Sequence, residues 1–128
     1  MGLFDIFKTK ETAPQQTLNW FTIKSKDQLQ ELDRLSKEKL MVIFKHSSSC
    51  PISKMVFKRF QKEADFEDEK ADLFYVNVLD QRDISNAIAE HYGVLHQSPQ
   101  LIIIKNEDVV HHASHSAIVP SAVNRFLG

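Results

Sequence analysis

The hydrophobic pattern of the chain alternates between short apolar runs and longer amphipathic stretches. The short runs are rich in β-branched and aromatic residues, which is typical of strands; they are Trp20–Ile23, Leu40–Lys45, Leu73–Val78, Gln100–Lys105 and Val109–Ser114. Apolar residues recur at helical spacing elsewhere, predicting helices at Lys26–Lys37, from Pro51 onward, at Asp83–Tyr92 and at Val119–Leu127. The order β-α-β-α-β-α-β-β-α predicts an α/β sandwich, in which a central mixed sheet carries helices on both faces.

The second predicted helix begins directly after the only cysteine of the chain, Cys50. A proline is favoured at the first helical position, where its missing N–H costs nothing. The sequence therefore predicts Cys50 at the N-cap and Pro51 at the first position of the helix. The spacing along this helix predicts a core-facing stripe of Met55, Val56, Phe60 and Ala64.

The position of Cys50 suggests thiol chemistry. The amide groups and dipole of a helix N-terminus stabilise an anion, and the thiolate is the reactive form of cysteine. A stabilised thiolate also leaves readily from a mixed disulfide, which favours reversible exchange. Ser53 completes a C-x-x-S pattern, and its hydroxyl and backbone N–H are expected to reach the Cys50 sulfur. With a single cysteine, any catalytic cycle must be monothiol and must be completed by an outside thiol.

Other interpretations of these residues remain open at this stage. A lone cysteine is often a small buried hydrophobe, although the flanking serines and Pro51 favour an accessible thiol. His46 either raises the positive potential near Cys50 or is hydrogen-bonded to a neighbour at the end of its strand. Three histidines in the predicted hairpin, at positions 111, 112 and 115, lack a partner cysteine or suitably spaced carboxylate, so we expect no metal site.

Composition narrows the class of protein. The 128 residues suit one domain with one core, predicted at 19–128 after an N-terminal arm and linker at 1–18. The net charge of −1 gives no bias toward nucleic acid or anionic membranes. One cysteine fits a reducing compartment, no apolar run approaches the length that spans a bilayer, and the start lacks the pattern of a secretory signal. We therefore expect a cytoplasmic protein that binds neither nucleic acid nor membrane.

These residues together resemble a known family. The strand, turn, C-P-I-S and helix are followed by A-E-H-Y-G-V (Ala89–Val94) and by Ser98-Pro99 before an apolar strand, a pattern similar to the thioredoxin-like fold. The form S-S-S-C-P-I-S, without a second cysteine, resembles the monothiol bacilliredoxins of the YtxJ type in the bacillithiol system. The resemblance covers about Trp20 to Leu127, and it implies a thioredoxin-like three-layer sandwich.

The resemblance also implies a function and a set of site residues. Cys50 would be the nucleophile that attacks a mixed disulfide between a protein and a low-molecular-weight thiol, with Pro51 and Ser53 beside it. Pro99 would match the cis-proline that faces the cysteine, and Ser49, Ser98 and Pro99 would contact the substrate, Ser98 through its backbone groups. The co-substrate would be bacillithiol or an equivalent thiol with no resident cofactor, and the partners would be S-thiolated proteins acted on by a monomer or weak dimer. The alternative is a redox-silent adaptor that binds a protein through the same groove.

Overall fold

The computed structural model describes residues 18–67 and 69–127. Its strands are β1 (Trp20–Thr22), β2 (Leu40–His46), β3 (Ala71–Asn77), β4 (Gln100–Lys105) and β5 (Asp108–Ser114). Its helices are α1 (Gln28–Leu35), α2 (Pro51–Glu63), α3 (Arg82–Tyr92) and α4 (Ser121–Asn124), with a short 3₁₀ helix at His115–Ala117. Each predicted strand and helix is thus present, in the predicted order.

The strands form one mixed sheet in the order β1-β3-β2-β4-β5. β3 runs parallel to both β1 and β2, whereas β4 runs antiparallel to β2 and β5 runs antiparallel to β4. β2 therefore lies at the centre of the sheet, between a parallel and an antiparallel neighbour. Its seven residues are all buried.

Alternate side chains of β2 pack into the two halves of the core, which lie on opposite faces of the sheet. On one face Leu40, Val42 and Phe44 pack with side chains of α2 and of the C-terminal segment, namely Val56, Phe57, Phe60, Ile118, Ala122 and Val123. On the other face Met41 and Ile43 pack with α1 and α3 through Leu29, Leu32, Ile84 and Ile88. Helices cover both faces of the mixed sheet, which confirms the predicted α/β sandwich.

Most strands and helices have at least one boundary that differs from the sequence prediction by one to three residues. β3 begins at Ala71, before the predicted start at Leu73, because the buried carboxylate of Asp72 is paired with Lys39 at 2.8 Å and can therefore enter the sheet. The C-terminal helix is shorter than predicted, since α4 covers only Ser121–Asn124. Gly93 ends α3 in a left-handed conformation with φ of 64°, which glycine adopts without strain.

The core-facing stripe of α2 was predicted with one wrong member. Met55 is 61% exposed, while Phe57 is only 6% exposed and lies in the core. Val56 and Phe60 are buried as predicted.

The predicted N-terminal arm and linker, 1–18, lies outside the described residues except for Leu18. That side chain is buried against the α2 side of the core. Among residues 18–67 and 69–127, no helix is long and apolar enough to cross a membrane.

Candidate active site

Cys50 occupies the N-cap of α2. Its backbone is extended, with φ of −98° and ψ of 119°, and Pro51 is the first residue of the helix. The Cys50 carbonyl accepts the first helical hydrogen bond from the Lys54 N–H at 3.0 Å. Cys50 is partly exposed, and Pro51 is exposed next to it. The predicted placement of both residues at the start of the helix is confirmed, and Cys50 is not one of the buried core residues.

The turn before Cys50 is held by two hydrogen bonds. The Cys50 N–H donates to the Ser47 carbonyl at 3.1 Å, and the Ser47 N–H donates to the Ser53 hydroxyl at 3.0 Å. Ser48 and Ser49 are exposed at the tip of the turn, and Ser48 accepts a hydrogen bond from the Asn77 side chain at 3.1 Å. The turn is thereby joined both to α2 and to the end of β3.

Ser53 makes contacts other than those expected from the sequence. Its hydroxyl is fully buried and lies 2.8 Å from Nδ1 of His46, in addition to accepting the Ser47 N–H. The Cys50 side chain makes no capping hydrogen bond, so the expected bond from the Ser53 N–H to the sulfur is not formed. Ser53 instead ties the end of β2 to the first turn of α2, and its role in exchange stays a prediction.

His46 is a neutral hydrogen-bonding group. It is 5% exposed, and its ring stacks on Phe57 with centroids 5.0 Å apart. Burial, with a smaller contribution from the nearby Lys54 ammonium, lowers the pKa of His46 to about 4. The ring is therefore uncharged at neutral pH. Of the two interpretations of His46, the structure supports the hydrogen-bonded strand-end histidine and not the cation that strengthens the potential at Cys50.

The Ser98–Pro99 peptide bond is cis, as the resemblance implied. Gln100, the next residue, pairs with Lys45 of β2, so Pro99 lies beside the end of β2 from which the Cys50 turn departs. The Pro99 carbonyl accepts the N–H of His115 at 3.1 Å. The Ser98 hydroxyl is buried and has no hydrogen-bond partner among the described residues. The sheet thus brings the Ser98–Pro99 segment and the Cys50 turn to one edge.

Exposed apolar side chains around this edge were missed in the sequence. Ile52 is 57% exposed, Leu79 is 47% exposed and Leu95 is 80% exposed. Ile52 lies in the first turn of α2, Leu79 follows the end of β3, and Leu95 lies in the loop before Pro99. The sequence analysis assigned no role to these residues, and only the fold shows that they remain outside the core. Exposed apolar side chains that form a contiguous patch are typical of surfaces that bind another protein.

A buried lysine next to this edge was also missed. Lys45 is fully buried, and burial lowers the pKa of its ammonium to about 8. A lysine at a strand end normally extends its charged tip into water, and its position in the sequence gives no sign of any other behaviour. Within the described part of the chain, no group of three or more His, Cys, Asp or Glu side chains is placed so that it could hold a metal ion.

Comparison with solved structures defines the fold. A structure described as a candidate oxidoreductase with a thioredoxin fold shares 30% identity, with a TM-score of 0.67 over 81% of this chain and 89% of its own. Thioredoxin from Malassezia sympodialis shares 22% identity, with a TM-score of 0.61 over 91% of this chain and 93% of its own. Thioredoxin from Trypanosoma brucei brucei shares 18% identity, with a TM-score of 0.62 over 90% of this chain and 93% of its own. The chain has the thioredoxin fold.

The family is defined by a sequence comparison. The family model described as "Monothiol bacilliredoxin BrxC" matches residues 21–123, which include every element from β2 to β5 and the whole C-x-x-S segment. With Cys50 at the helix N-cap and a cis-proline beside it, the matched region contains the site described above. The chain belongs to the monothiol bacilliredoxin family.

Proposed function

We propose that this protein removes a low-molecular-weight thiol of the bacillithiol type from mixed disulfides on proteins, through Cys50. Membership of the bacilliredoxin family and the 30% identical thioredoxin-fold structure support thiol–disulfide oxidoreductase chemistry in general, without identifying the small thiol. The observation that carries the proposal is the position of the only cysteine, a partly exposed residue at the N-cap of a helix of 13 residues. The free amides of that helix end stabilise a thiolate both as attacking and as leaving group.

The proposed cycle has two exchange steps. The Cys50 thiolate attacks the small-thiol sulfur of a mixed disulfide on a client protein. A Cys50–small-thiol disulfide forms, the client disulfide breaks, and the client leaves as a thiolate. A second molecule of the small thiol, as its thiolate, then attacks the adduct. This step releases the Cys50 thiolate and the symmetrical disulfide of the small thiol, so the electrons that reduce the client come from the small thiol.

The surroundings of Cys50 suit a protein substrate. The turn tip at Ser49 is exposed, which leaves one side of the thiol open to an approaching disulfide. Ile52 and Leu95 offer apolar surface to a client chain. Ser98, whose hydroxyl is buried, offers its backbone groups to an extended client segment. The exposure of Ile52 and Leu95 suits an approaching protein chain, whereas a small-molecule site usually encloses most of its ligand. The co-substrate is the small thiol itself, and no resident cofactor takes part.

The remaining features of the proposal follow from the same chemistry. The clients are proteins with S-thiolated cysteines, and neither nucleic acid nor membrane is a partner. A single exchangeable cysteine requires a compartment rich in reduced thiols, so the protein acts in the cytoplasm. It acts as a monomer or weak dimer, because each step needs only one Cys50.

Transfer of the adduct tests the proposal directly. A model protein carrying bacillithiol on one cysteine is mixed with the reduced protein, and both are followed by intact mass spectrometry. We expect the bacillithiol mass to leave the model protein and to appear on the peptide that contains Cys50. Free bacillithiol should then restore the reduced mass. The Cys50→Ser variant should accept no adduct, which assigns the transfer to that sulfur.

The alternatives have separate outcomes. A wild-type protein that binds the thiolated model protein but accepts no adduct would be a redox-silent adaptor, and the exchange proposal would be wrong. Equal transfer from proteins carrying glutathione, coenzyme A or cysteine would remove the preference for bacillithiol. Mass spectrometry of the protein isolated from its host without reductant identifies the physiological thiol, because the adduct mass on Cys50 is specific to it.

A further inference from the structure

The buried side chain of Lys45 contacts the loop that precedes Pro99. Its side chain lies on the α1 and α3 face of the sheet, where the ammonium donates to the Ser85 carbonyl of α3 at 3.0 Å. The same ammonium lies 3.2 Å from Nδ1 of His96, which is also 3.1 Å from the Ser85 hydroxyl. A lysine ammonium can only donate, so Nδ1 of His96 is an acceptor and its proton lies on Nε2. The contact therefore connects β2, α3 and the loop.

A second buried side chain holds the neighbouring residue of the same loop. Gln100 is 1% exposed, and its Nε2 donates to the Leu95 carbonyl at 3.0 Å. Gln100 and Lys45 are direct cross-strand partners, so their side chains lie next to each other on one face of the sheet. Two adjacent buried side chains thus fix two consecutive loop residues, Leu95 and His96.

Burial of the Lys45 ammonium destabilises the fold, whereas an apolar side chain at the same position would stabilise it. Lys45 continues the side of β2 on which Met41 and Ile43 are fully buried among apolar residues. Burial lowers the pKa of Lys45 to about 8, so a charged ammonium at neutral pH is held at a cost. Burial, Lys45 and Arg82 in turn lower the pKa of His96, which favours the neutral, accepting ring. Buried ionisable groups of this kind occur mainly where function needs them.

We propose that Lys45, together with Gln100, is a positioning residue that fixes residues 95–98 so that Ser98 and Pro99 keep a constant placement relative to the Cys50 turn. Lys45 does not touch the reacting sulfurs. It acts through His96, whereas Gln100 acts through the backbone of Leu95. The inference rests on the proposed function, because the loop matters only if a client chain lies against it. Under this inference, Lys45 and Gln100 contribute to recognition of the protein substrate and not to activation of the thiol.

Kinetics with substrates of different size test this assignment. Lys45→Met removes the ammonium and keeps the apolar length of the side chain. We expect the KM for a thiolated protein to rise about tenfold, which corresponds to about 1.4 kcal/mol. The alkylation rate of Cys50 by iodoacetamide should stay within about twofold, because that reagent needs only the thiol. Gln100→Met should likewise raise the KM for the thiolated protein and leave the alkylation rate of Cys50 unchanged.

Lys105→Met is the matched control. Lys105 lies at the opposite end of β4 and donates to the Phe126 carbonyl at 3.1 Å, so the same substitution there removes an inward lysine contact far from the loop. It should change neither the KM nor the alkylation rate. A Lys45→Met variant with an unchanged KM would overturn the inference, and so would a loss of alkylation equal to the loss of exchange.

A measurement that does not depend on exchange separates this inference from the proposed function. Backbone ¹⁵N relaxation reports the order of the amides of Leu95 to Ser98. We expect order parameters of about 0.85 in the wild type and below about 0.6 in Lys45→Met, with the wild-type values kept in Lys105→Met. Unchanged order parameters in both Lys45→Met and Gln100→Met would overturn the positioning role, even if the wild type exchanges thiols. If Lys45→Met does not fold, Gln100→Met and His96→Ala give the same comparison.

Discussion

The hydrogen bond between His46 and Ser53 shows what single residues contribute at this site. The sequence was sufficient to place Cys50 and Pro51, because N-cap and first-turn preferences act over a few neighbouring residues. It was not sufficient to find the partner of Ser53 or the burial of Lys45. Those contacts depend on where β2, α2, α3 and the loop meet in space, and no local pattern encodes that. The cis form of Ser98–Pro99 was predictable only through the family resemblance, since most X-Pro bonds are trans.

The buried ring of His46 makes stability depend on pH. Its pKa is about 4 in the folded protein and about 6.5 in the unfolded chain. Between these values the unfolded chain binds more protons, so stability is highest above pH 6.5 and falls as the pH drops toward 4. We expect a loss of about 2 kcal/mol between about pH 8 and about pH 5 from this residue. Urea unfolding at several pH values measures the loss.

His46→Phe is the reference for that measurement, because it keeps an aromatic ring beside Phe57 but cannot be protonated. The other histidines titrate in both proteins, so the difference between the two curves isolates His46. Wild-type and variant stabilities that decline in parallel over this range would show that His46 is not the buried titrating group.

At the scale of elements, α2 shows how a helix can be predicted correctly while its buried face is assigned wrongly. Its buried positions are Ser53, Val56, Phe57 and Phe60, which is the i, i+3, i+4, i+7 spacing of one helical stripe. The predicted stripe did not include Ser53 and took Met55 in place of Phe57, which moved the predicted face round the helix. The hydrogen bonds of the Ser53 hydroxyl with His46 and with the Ser47 N–H explain why a serine occupies a core position. The start of β3 was missed for a similar reason, since Asp72 is buried through its pairing with Lys39.

The corrected face of α2 predicts unequal costs for two substitutions in the same helix. Phe60 is fully buried and packs against Trp20 and Phe44 with ring centroids 6.1 and 5.4 Å away. We expect Phe60→Ala to lower the free energy of unfolding by about 3–5 kcal/mol, because it leaves a cavity in the core. Met55→Ala, at an exposed position, should stay within about 0.5 kcal/mol of the wild type.

Chemical denaturation of the two variants measures this difference. Each is compared with the wild type at the same pH, with alanine as the common replacement so that helix propensity is nearly constant. A cost for Met55→Ala close to that of Phe60→Ala would support the stripe predicted from the sequence and contradict the packing described here.

At the scale of the whole molecule, the alternation of strands and helices was enough to predict the class of fold. The order β1-β3-β2-β4-β5 was not predicted, because a pattern of apolar residues shows that a strand is buried but not which strands are its neighbours. The antiparallel contact between β2 and β4 is a long-range feature, and it brings Pro99 beside the cysteine turn. Prediction of one domain at 19–128 came from length and core size, and an unfolding experiment can test it.

If the domain unfolds as a single cooperative unit, two different probes of unfolding should give coincident transitions. Trp20 is the only tryptophan; it is 1% exposed, and its Nε1 donates to the Gln61 side chain at 2.8 Å. Its fluorescence reports the α2 side of the core, whereas far-ultraviolet circular dichroism reports all helices and strands. Because both halves of the core share one sheet, we expect urea transitions with the same midpoint and slope. A dichroism transition at lower urea than the fluorescence transition would indicate that the α1 and α3 layer unfolds separately.

The central place of β2 has a consequence for the energetics of association. This strand is hydrogen-bonded along both edges, to β3 and to β4, so the client-binding edge that we propose at its end needs little rearrangement when a client binds. The entropic penalty of association then falls mainly on the client, whose cysteine-bearing segment must become ordered. Among clients with the same residues around the thiolated cysteine, the one whose segment is already extended and restrained should therefore bind more tightly than one whose segment is a flexible coil.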